Sequence, residues 1–250
     1  MTEGSEISSL LDKIRRTTLE TIDPDHSYHL RSLLNWRRYV KYNLRVKNRS
    51  QGSARIVDVG CGAGHTTAML KVFLPRAEVM GVDRDKRNVE SWKKLRGFCA
   101  EFIVGDAERL CFRDECFDSV VSYGVIEHTE SEKTFLKETF RILKRHGWYF
   151  LFDLPKKFGL SGIVGRILLR DRWHIRSHSP RSVEEMLKDL AYSVEVRREH
   201  LLPAQLHRLG DRLGRVADRY CSILSALDEA SGRTPLGLLC QSLTVSCRRR

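Results

Sequence analysis

Short apolar runs alternate with amphipathic stretches through the middle of this chain. The runs at 54–59, 77–82, 99–104, 117–123 and 147–154 are too brief for helices and rich in Val, Ile and Phe, so they read as buried strands. The stretches at 64–73, 86–95 and 131–144 carry apolar residues at helical spacing and read as helices. A strand–helix alternation of this kind predicts crossover units, and hence an α/β fold with a parallel sheet covered by helices on both faces.

The flanks follow other rhythms. Residues 7–22 and 27–46 predict two helices. In the second, Leu30, Leu33, Leu34, Val40 and Leu44 form an apolar stripe, with Arg37, Arg38 and Lys41 on the polar face. Residues 48–53 read as a linker. After Pro155 a short apolar-basic helix is expected at 158–170. Ser179 followed by Pro180 then looks like a helix cap with proline at the first helical position, opening a helix through Leu190. A strand at 193–197, an amphipathic helix at 204–229 and a last strand at 241–247 complete the sheet. The expected organisation is an N-terminal helical lid at 1–52, a core at 53–200, and a helical insertion with a final strand at 201–250. The chain length of 250 suits one large domain.

Charge changes the picture once it is located. The formal net charge is +12. Residues 53–155 are neutral, and the excess base lies in 1–52, 156–181 and 197–250. That distribution favours an anionic partner at the periphery, or else a solvated arginine-rich surface. The Arg248–Arg250 end reads as a solvated basic terminus. No apolar run approaches the roughly 18 residues of a membrane span. The first residues lack the basic-then-apolar order of a signal peptide. The seven cysteines include no CxxC pair, so reduced thiols in a cytoplasmic protein are expected, with no metal site.

The stretch from Ile56 to His65 is the richest in chemistry. A β-branched run carries Asp58 near its end, followed by Gly60, Gly62 and Gly64 and then a helix. That geometry brings a ligand against bare backbone at a helix N-terminus. The dinucleotide fingerprint would need glycine at 65 or 67, where His65 and Thr67 stand, and no P-loop string occurs. The pattern instead suits a compact ligand without phosphates that carries an amino-acid end. In an open parallel sheet the ligand lies beyond the carboxyl ends of the strands. Asp58, Asp83 and Asp106 all sit at or near such ends. A carboxylate after the second strand can accept from both hydroxyls of a ribose.

With these motifs in order, the chain resembles the class I S-adenosylmethionine-dependent methyltransferases, of the type acting on quinones, lipids and other small molecules. Residues 57–64, Gly81-Val82-Asp83, Gly105 to Leu110 and Phe117 to His128 carry the resemblance, and Phe140 to Trp148 carries it more weakly. It covers about 54–155 well. It implies a Rossmann-like, doubly wound, mostly parallel seven-stranded sheet with an antiparallel last strand. It also implies S-adenosylmethionine as cofactor. Gly60, Cys61, Gly62 and Gly64 would pack against its methionine portion, with Asp58 holding the turn or, through water, the amino group. Asp83 would bind the ribose, Arg84 would pack beside the adenine, and Asp106 and Ala107 would read its edge. Ser122 and Tyr123 would flank the methyl path. His128, and His174 in a His-x-Arg-x-x-Ser-Pro segment ending at Pro180, are the candidate bases where an acceptor must lose a proton.

The acceptor is less constrained. Ser122-Tyr123-Gly124-Val125 stands where amino-methylating nucleic-acid enzymes carry N/D-P-P-Y/F, so a small-molecule acceptor leads. The apolar-basic helices suggest a lipid-like or anionic body and peripheral contact with an anionic membrane. An RNA-directed enzyme using Trp36, Tyr39, Tyr42 and Trp173 in the basic flanks is the second reading. A non-catalytic scaffold that keeps the fold is the third.

Overall fold

The computed structural model describes residues 3–21, 32–50, 53–98, 100–157, 159, 176–201, 216, 218–232 and 234–250. The helix expected at 158–170, the candidate base His174 and the first part of the helix expected at 204–229 lie outside the described residues.

Seven strands form one sheet: β1 (Arg55–Val59), β2 (Glu78–Asp83), β3 (Glu101–Val104), β4 (Phe117–Tyr123), β5 (Leu143–Pro155), β6 (Ala191–Glu199) and β7 (Ser242–Arg249). Their order across the sheet is β3-β2-β1-β4-β5-β7-β6. The first five pair in parallel, and β7 runs antiparallel to both β5 and β6. Two reversals cancel, so β6 points the same way as β1–β5. The carboxyl ends of six strands therefore share one edge. The sheet order reverses direction between β1 and β4, which makes that edge the ligand side.

Helices cover both faces. On one, α1 (Glu3–Leu19), α2 (Leu33–Arg49) and α3 (His65–Phe73) pack together. Leu11, Ile14, Trp36 and Met69 join there, and Tyr42 and Val46 reach the sheet at Ile56, Phe150 and Phe152. On the other, α5 (Glu132–Ile142) and α6 (Pro180–Leu187) bury Phe135, Phe140, Val183 and Leu187 against Val120, Tyr149 and Val245. α4 (Val89–Leu95) follows β2, and α7 (Cys221–Ser231) precedes β7. Each fully buried large apolar side chain contributes about 1.5–3 kcal/mol, so these two interlayers hold the fold. The 1–52 segment, expected as a lid, contributes Tyr42 and Val46 to this core.

The expected caps and ends differ in detail. Ser179 caps α6 through Ser182 in a reciprocal capping box, with Pro180 at the first turn as its sequence suggested. The helix expected through residue 144 stops at Ile142, because the chain turns directly into β5 at Leu143. His146 takes φ 61° within that strand, and the register with β4 shifts there. The last strand runs past Cys247 to Arg249. The terminal arginines, expected as a solvated end, are half-buried at Arg248 and Arg249 and exposed at Arg250, and each holds a contact. Arg248 lies over the Trp148 ring at 5.2 Å and donates to His146 O, Arg249 Nη2 pairs with Glu115 at 3.0 Å, and Arg250 donates to Ala191 O.

Candidate active site

The glycine turn between β1 and α3 consumes most of its own hydrogen-bond donors. Gly60 N and Cys61 N both donate to Val82 O, at 2.7 and 3.0 Å, and Gly64 N donates to Cys61 O at 2.9 Å. Gly62 N donates to Asp83 Oδ2 at 2.8 Å. A turn whose amides are spent internally makes a poor cradle for phosphate, and it leaves Cα surface and carbonyls for a neutral or cationic ligand. Gly60, Gly62 and Gly64 all adopt positive φ. At Gly64 a Cβ would lie 2.5 Å from Phe102, whereas at Gly62 nothing lies within 4 Å. The Cys61 side chain is buried beneath the turn beside Gly81, and burial pushes its thiol pKa up.

Asp58 is fully buried, and its Oδ2 accepts from the Thr66 and Thr67 hydroxyls at 2.7 and 2.8 Å. This pins the first turn of α3 to the end of β1. Oδ1 has no partner among the described residues. Burial raises the carboxyl pKa to about 7, against the opposing pull of the two hydroxyls. An orphaned buried carboxylate oxygen beside a phosphate-averse turn fits a ligand amino group or the water that would bridge to it.

Beyond the turn, an open cleft of about 590 Å³ runs along the strand ends, lined by Gly60, Asp83, Arg84, Asp106, Ala107, Gly124, Val125 and His128 among others. Asp83 is aimed by two backbone donors, Gly62 N on Oδ2 and Asp85 N on Oδ1, both at 2.8 Å. Asp106 Oδ1 accepts from Glu108 N at 2.9 Å, which shapes the loop on the far side. The His128 side chain is largely exposed, and its pKa is lowered by partial burial and then by Arg84. The imidazole is thereby held toward its neutral, proton-accepting form.

Ser122 and Tyr123 do not reach this cleft lining. Ser122 is buried and shares a hydrogen bond of 3.0 Å with the Tyr149 hydroxyl, under the sheet. Tyr123 donates to Asn43 Oδ1 at 3.0 Å and stacks on Phe152 with 5.1 Å between ring centroids. Gly124 and Val125 take their place at the cleft. His178 is buried with Nε2 3.1 Å from Glu132, and Arg176 donates to Thr129 O and Glu130 O, tying its segment to the loop that carries His128.

Two features carried no assigned role in the sequence. Glu127 is buried next to His128, with Oε2 unpartnered among the described residues and its pKa raised to about 8 by burial, then by Asp153 and Glu132. The Glu-His pair was visible in the string, but nothing there told which carboxylate would be dry. The second is a buried polar group joining Arg38, Tyr42, His200 and Asp228, from three distant parts of the chain. Their separations of 158 and 28 residues along the chain leave no local spacing to read. Among the described residues no cluster of His, Cys, Asp and Glu could hold a metal ion, and no helix is long and apolar enough to cross a membrane.

Comparison with known proteins meets this geometry. Residues 57–151 match a family model described as a methyltransferase domain. The chain is 30% identical over 184 residues to YcgJ of Bacillus subtilis, an uncharacterized methyltransferase, covering 71% of this chain and 72% of that protein. It is 33% identical over 102 residues to a demethylmenaquinone methyltransferase of Thermotoga maritima, covering 40% of this chain and 43% of the relative. A ubiquinone biosynthesis O-methyltransferase of Pelagibacter ubique matches at 29% identity over 51% of this chain and 57% of its own length. The chain thus spans only about half the length of these two quinone-biosynthesis relatives. The crystal structure of YcgJ superposes with a TM-score of 0.58 at 24% identity, over 86% of this chain and 99% of that one. A Haemonchus contortus phosphoethanolamine N-methyltransferase in complex with S-adenosyl-L-methionine gives 0.60 at 17% identity, over 86% of this chain and 52% of that one. Both likenesses are of fold.

Proposed function

The chain belongs to the class I S-adenosylmethionine-dependent methyltransferases, and from that premise we propose that it methylates a small, anionic or lipid-like acceptor at the carboxyl edge of its sheet. The observation that carries the placement is the cleft at the β1–β4 switch point, with Asp83 held ready on one side and Asp106 on the other.

S-adenosylmethionine supplies an activated methyl group on sulfur, which needs orientation and exclusion of water more than chemical assistance from protein. In this reading Asp83 accepts from the ribose hydroxyls, Asp106 and Ala107 border the adenine, and Arg84 lies beside it. Asp58, alone or through a water, meets the amino group, and the bare backbone at Gly60, Gly62 and Gly64 admits the methionine chain. His128 can accept a proton at the cleft mouth.

The acceptor assignment rests on the surface beside the edge. On α7 and the segment before it, Val216, Tyr220, Ile223 and Leu227 are exposed at helical spacing, and Leu236 and Leu238 are exposed in the turn that follows. The buried side of that helix, Ser225 and Asp228, meets Lys41 and Arg38 at the carboxyl edge. An apolar stripe next to a cationic crevice suits an amphiphile presented at an anionic surface. The relatives named for menaquinone and ubiquinone biosynthesis support this reading. Transfer of labelled methyl from S-adenosylmethionine into an extract, separated into lipid, RNA, protein and small-molecule fractions, tests it. Label in the lipid or small-molecule fraction is expected, and label confined to RNA or protein refutes it. Co-sedimentation with vesicles should require acidic lipid; equal and negligible binding with and without it removes the membrane contact.

A further inference from the structure

The three glycines of the β1–α3 turn have no side chains to fix their own conformation, and all take positive φ. Two of the turn's carbonyls are held from α4. Ser91 Oγ donates to Ala63 O at 2.7 Å, and Trp92 Nε1 donates to Gly62 O at 2.8 Å. The two donors are consecutive residues in the first turn of α4, and both are buried. An indole has one N–H and no acceptor, so Trp92 commits its whole polar capacity to this carbonyl. Gly62 is gripped at both ends, its N–H by Asp83 and its C=O by Trp92.

The indole is itself fixed. Its ring lies on Phe102 of β3, with centroids 5.5 Å apart and planes 8° from parallel. Phe102 and Trp92 Cδ1 occupy the space that a side chain at Gly64 would need, at 2.5 and 3.1 Å from its Cβ position. Phe102 also fills the space at Gly81, at 2.8 Å. One turn further along α4, Leu95 is fully buried among Ala68, Met69 and Phe73 of α3. That contact fixes α4 against the helix which the glycine turn opens, and so fixes where its two donors point.

Resting on the methyltransferase reading above, we infer that Trp92 and Ser91 are positioning residues for the cofactor, setting the glycine turn that the methionine portion of S-adenosylmethionine meets. Neither side chain lines the cleft. They act through the carbonyls of Gly62 and Ala63. The groups that face the nucleoside are held by other bonds. Asp83 keeps the Asp85 amide on Oδ1, and Asp106, two strands away from the turn, is set by the Glu108 amide. The clamp therefore bears on the amino-acid end of the ligand more than on its adenosine end.

A turn that is free to relax must be ordered again when the ligand binds, and that cost is read as lost affinity. One neutral hydrogen bond corresponds to about three- to tenfold in an equilibrium constant. Trp92→Phe keeps a ring that can stack on Phe102 and lacks the N–H. Ser91→Ala removes a hydroxyl and nothing else. The two variants release the carbonyls while leaving the packing beneath the turn in place.

Calorimetry on the full chain compares S-adenosylhomocysteine, which carries the amino-acid end, with adenosine, which lacks it. Each variant should weaken S-adenosylhomocysteine about three- to tenfold and leave adenosine affinity essentially unchanged. Equal losses for both ligands would mean that Trp92 and Ser91 serve only the fold, and no loss for either would mean that the turn needs no clamp. Both results overturn the inference. Failure of the wild type to bind S-adenosylhomocysteine at all would instead strike the reading of the cofactor cleft. If the variants do not fold, or adenosine binds too weakly to compare, proton NMR of the wild type decides. The Trp92 indole N–H should shift, and exchange more slowly with solvent, in step with saturation by S-adenosylhomocysteine; an indole signal that does not respond overturns the inference.

Discussion

Replacing Glu127 by glutamine should stabilise this protein, and by more as the pH rises. Glu127 is buried, and its pKa stands at about 8 against an ordinary 4.5, because burial disfavours the charge and Asp153 and Glu132 add repulsion. A carboxyl whose folded pKa is raised folds without penalty below the unfolded value. It loses stability as the pH climbs from there through the folded one. A tenfold change in proton affinity corresponds to about 1.4 kcal/mol. The penalty is thus under about 1 kcal/mol at pH 5, about 3 at pH 7, and about 4–5 above pH 8. Glutamine keeps the shape and has no charge to desolvate. Urea unfolding of wild type and Glu127→Gln at pH 5, 7 and 9 measures the difference directly. Asp58, raised in the same direction, titrates in both proteins and cancels from it. The gap should widen by several kcal/mol across that range. Parallel stability curves would refute the burial argument and mean that Oε2 has found a partner.

Gly62→Ala and Gly64→Ala should separate backbone strain from crowding. The first adds only a left-handed alanine facing open space, about 1–2 kcal/mol. The second also drives a methyl to within 2.5 Å of Phe102 and should cost about 2–5 kcal/mol in all; equal losses in chemical denaturation would contradict the packing described. Asp83→Ala should weaken S-adenosylhomocysteine binding about 10–100-fold by calorimetry, from lost charged hydrogen bonds, and should also loosen the turn it holds through Gly62. Unchanged affinity would sink its ribose role. Arg141 binds the carbonyls of Leu110 and Phe112 at 2.9 and 2.7 Å and pairs with Glu138 and Asp114, so Arg141→Ala should destabilise by about 2–3 kcal/mol. A thermal shift no larger than that of Lys93→Ala, whose exposed partner is Glu90, would refute that accounting.

What the sequence made legible was local. The strand–helix alternation, the glycine turn and the three strand-end aspartates are each written within a few consecutive residues, and the fold repeats the crossover rule that joins them. The resemblance, by contrast, put Ser122 and Tyr123 of β4 beside the methyl path. Ser122 lies at a strand end, but its side chain turns under the sheet to Tyr149 while its neighbour turns to Phe152, and neither reaches the cleft. Parity against a sheet with two buried faces cannot be told from a run that is apolar throughout. The Arg38–Tyr42–His200–Asp228 line was illegible for another reason. It forms only once α2 and α7 dock on the same edge, and docking is decided by the whole core.

The antiparallel course of β7 has a bearing on how the molecule can be held. Because that strand runs against its neighbours, Arg250 ends at the amino edge of the sheet, the full length of the strands away from both crevices. Arg248 and Arg249, clasped to Trp148 and Glu115, fix that exit in place. A tether joined after residue 250 would leave the protein standing with its cleft facing outward. Immobilised so on a sensor chip, it presents both openings to whatever flows past.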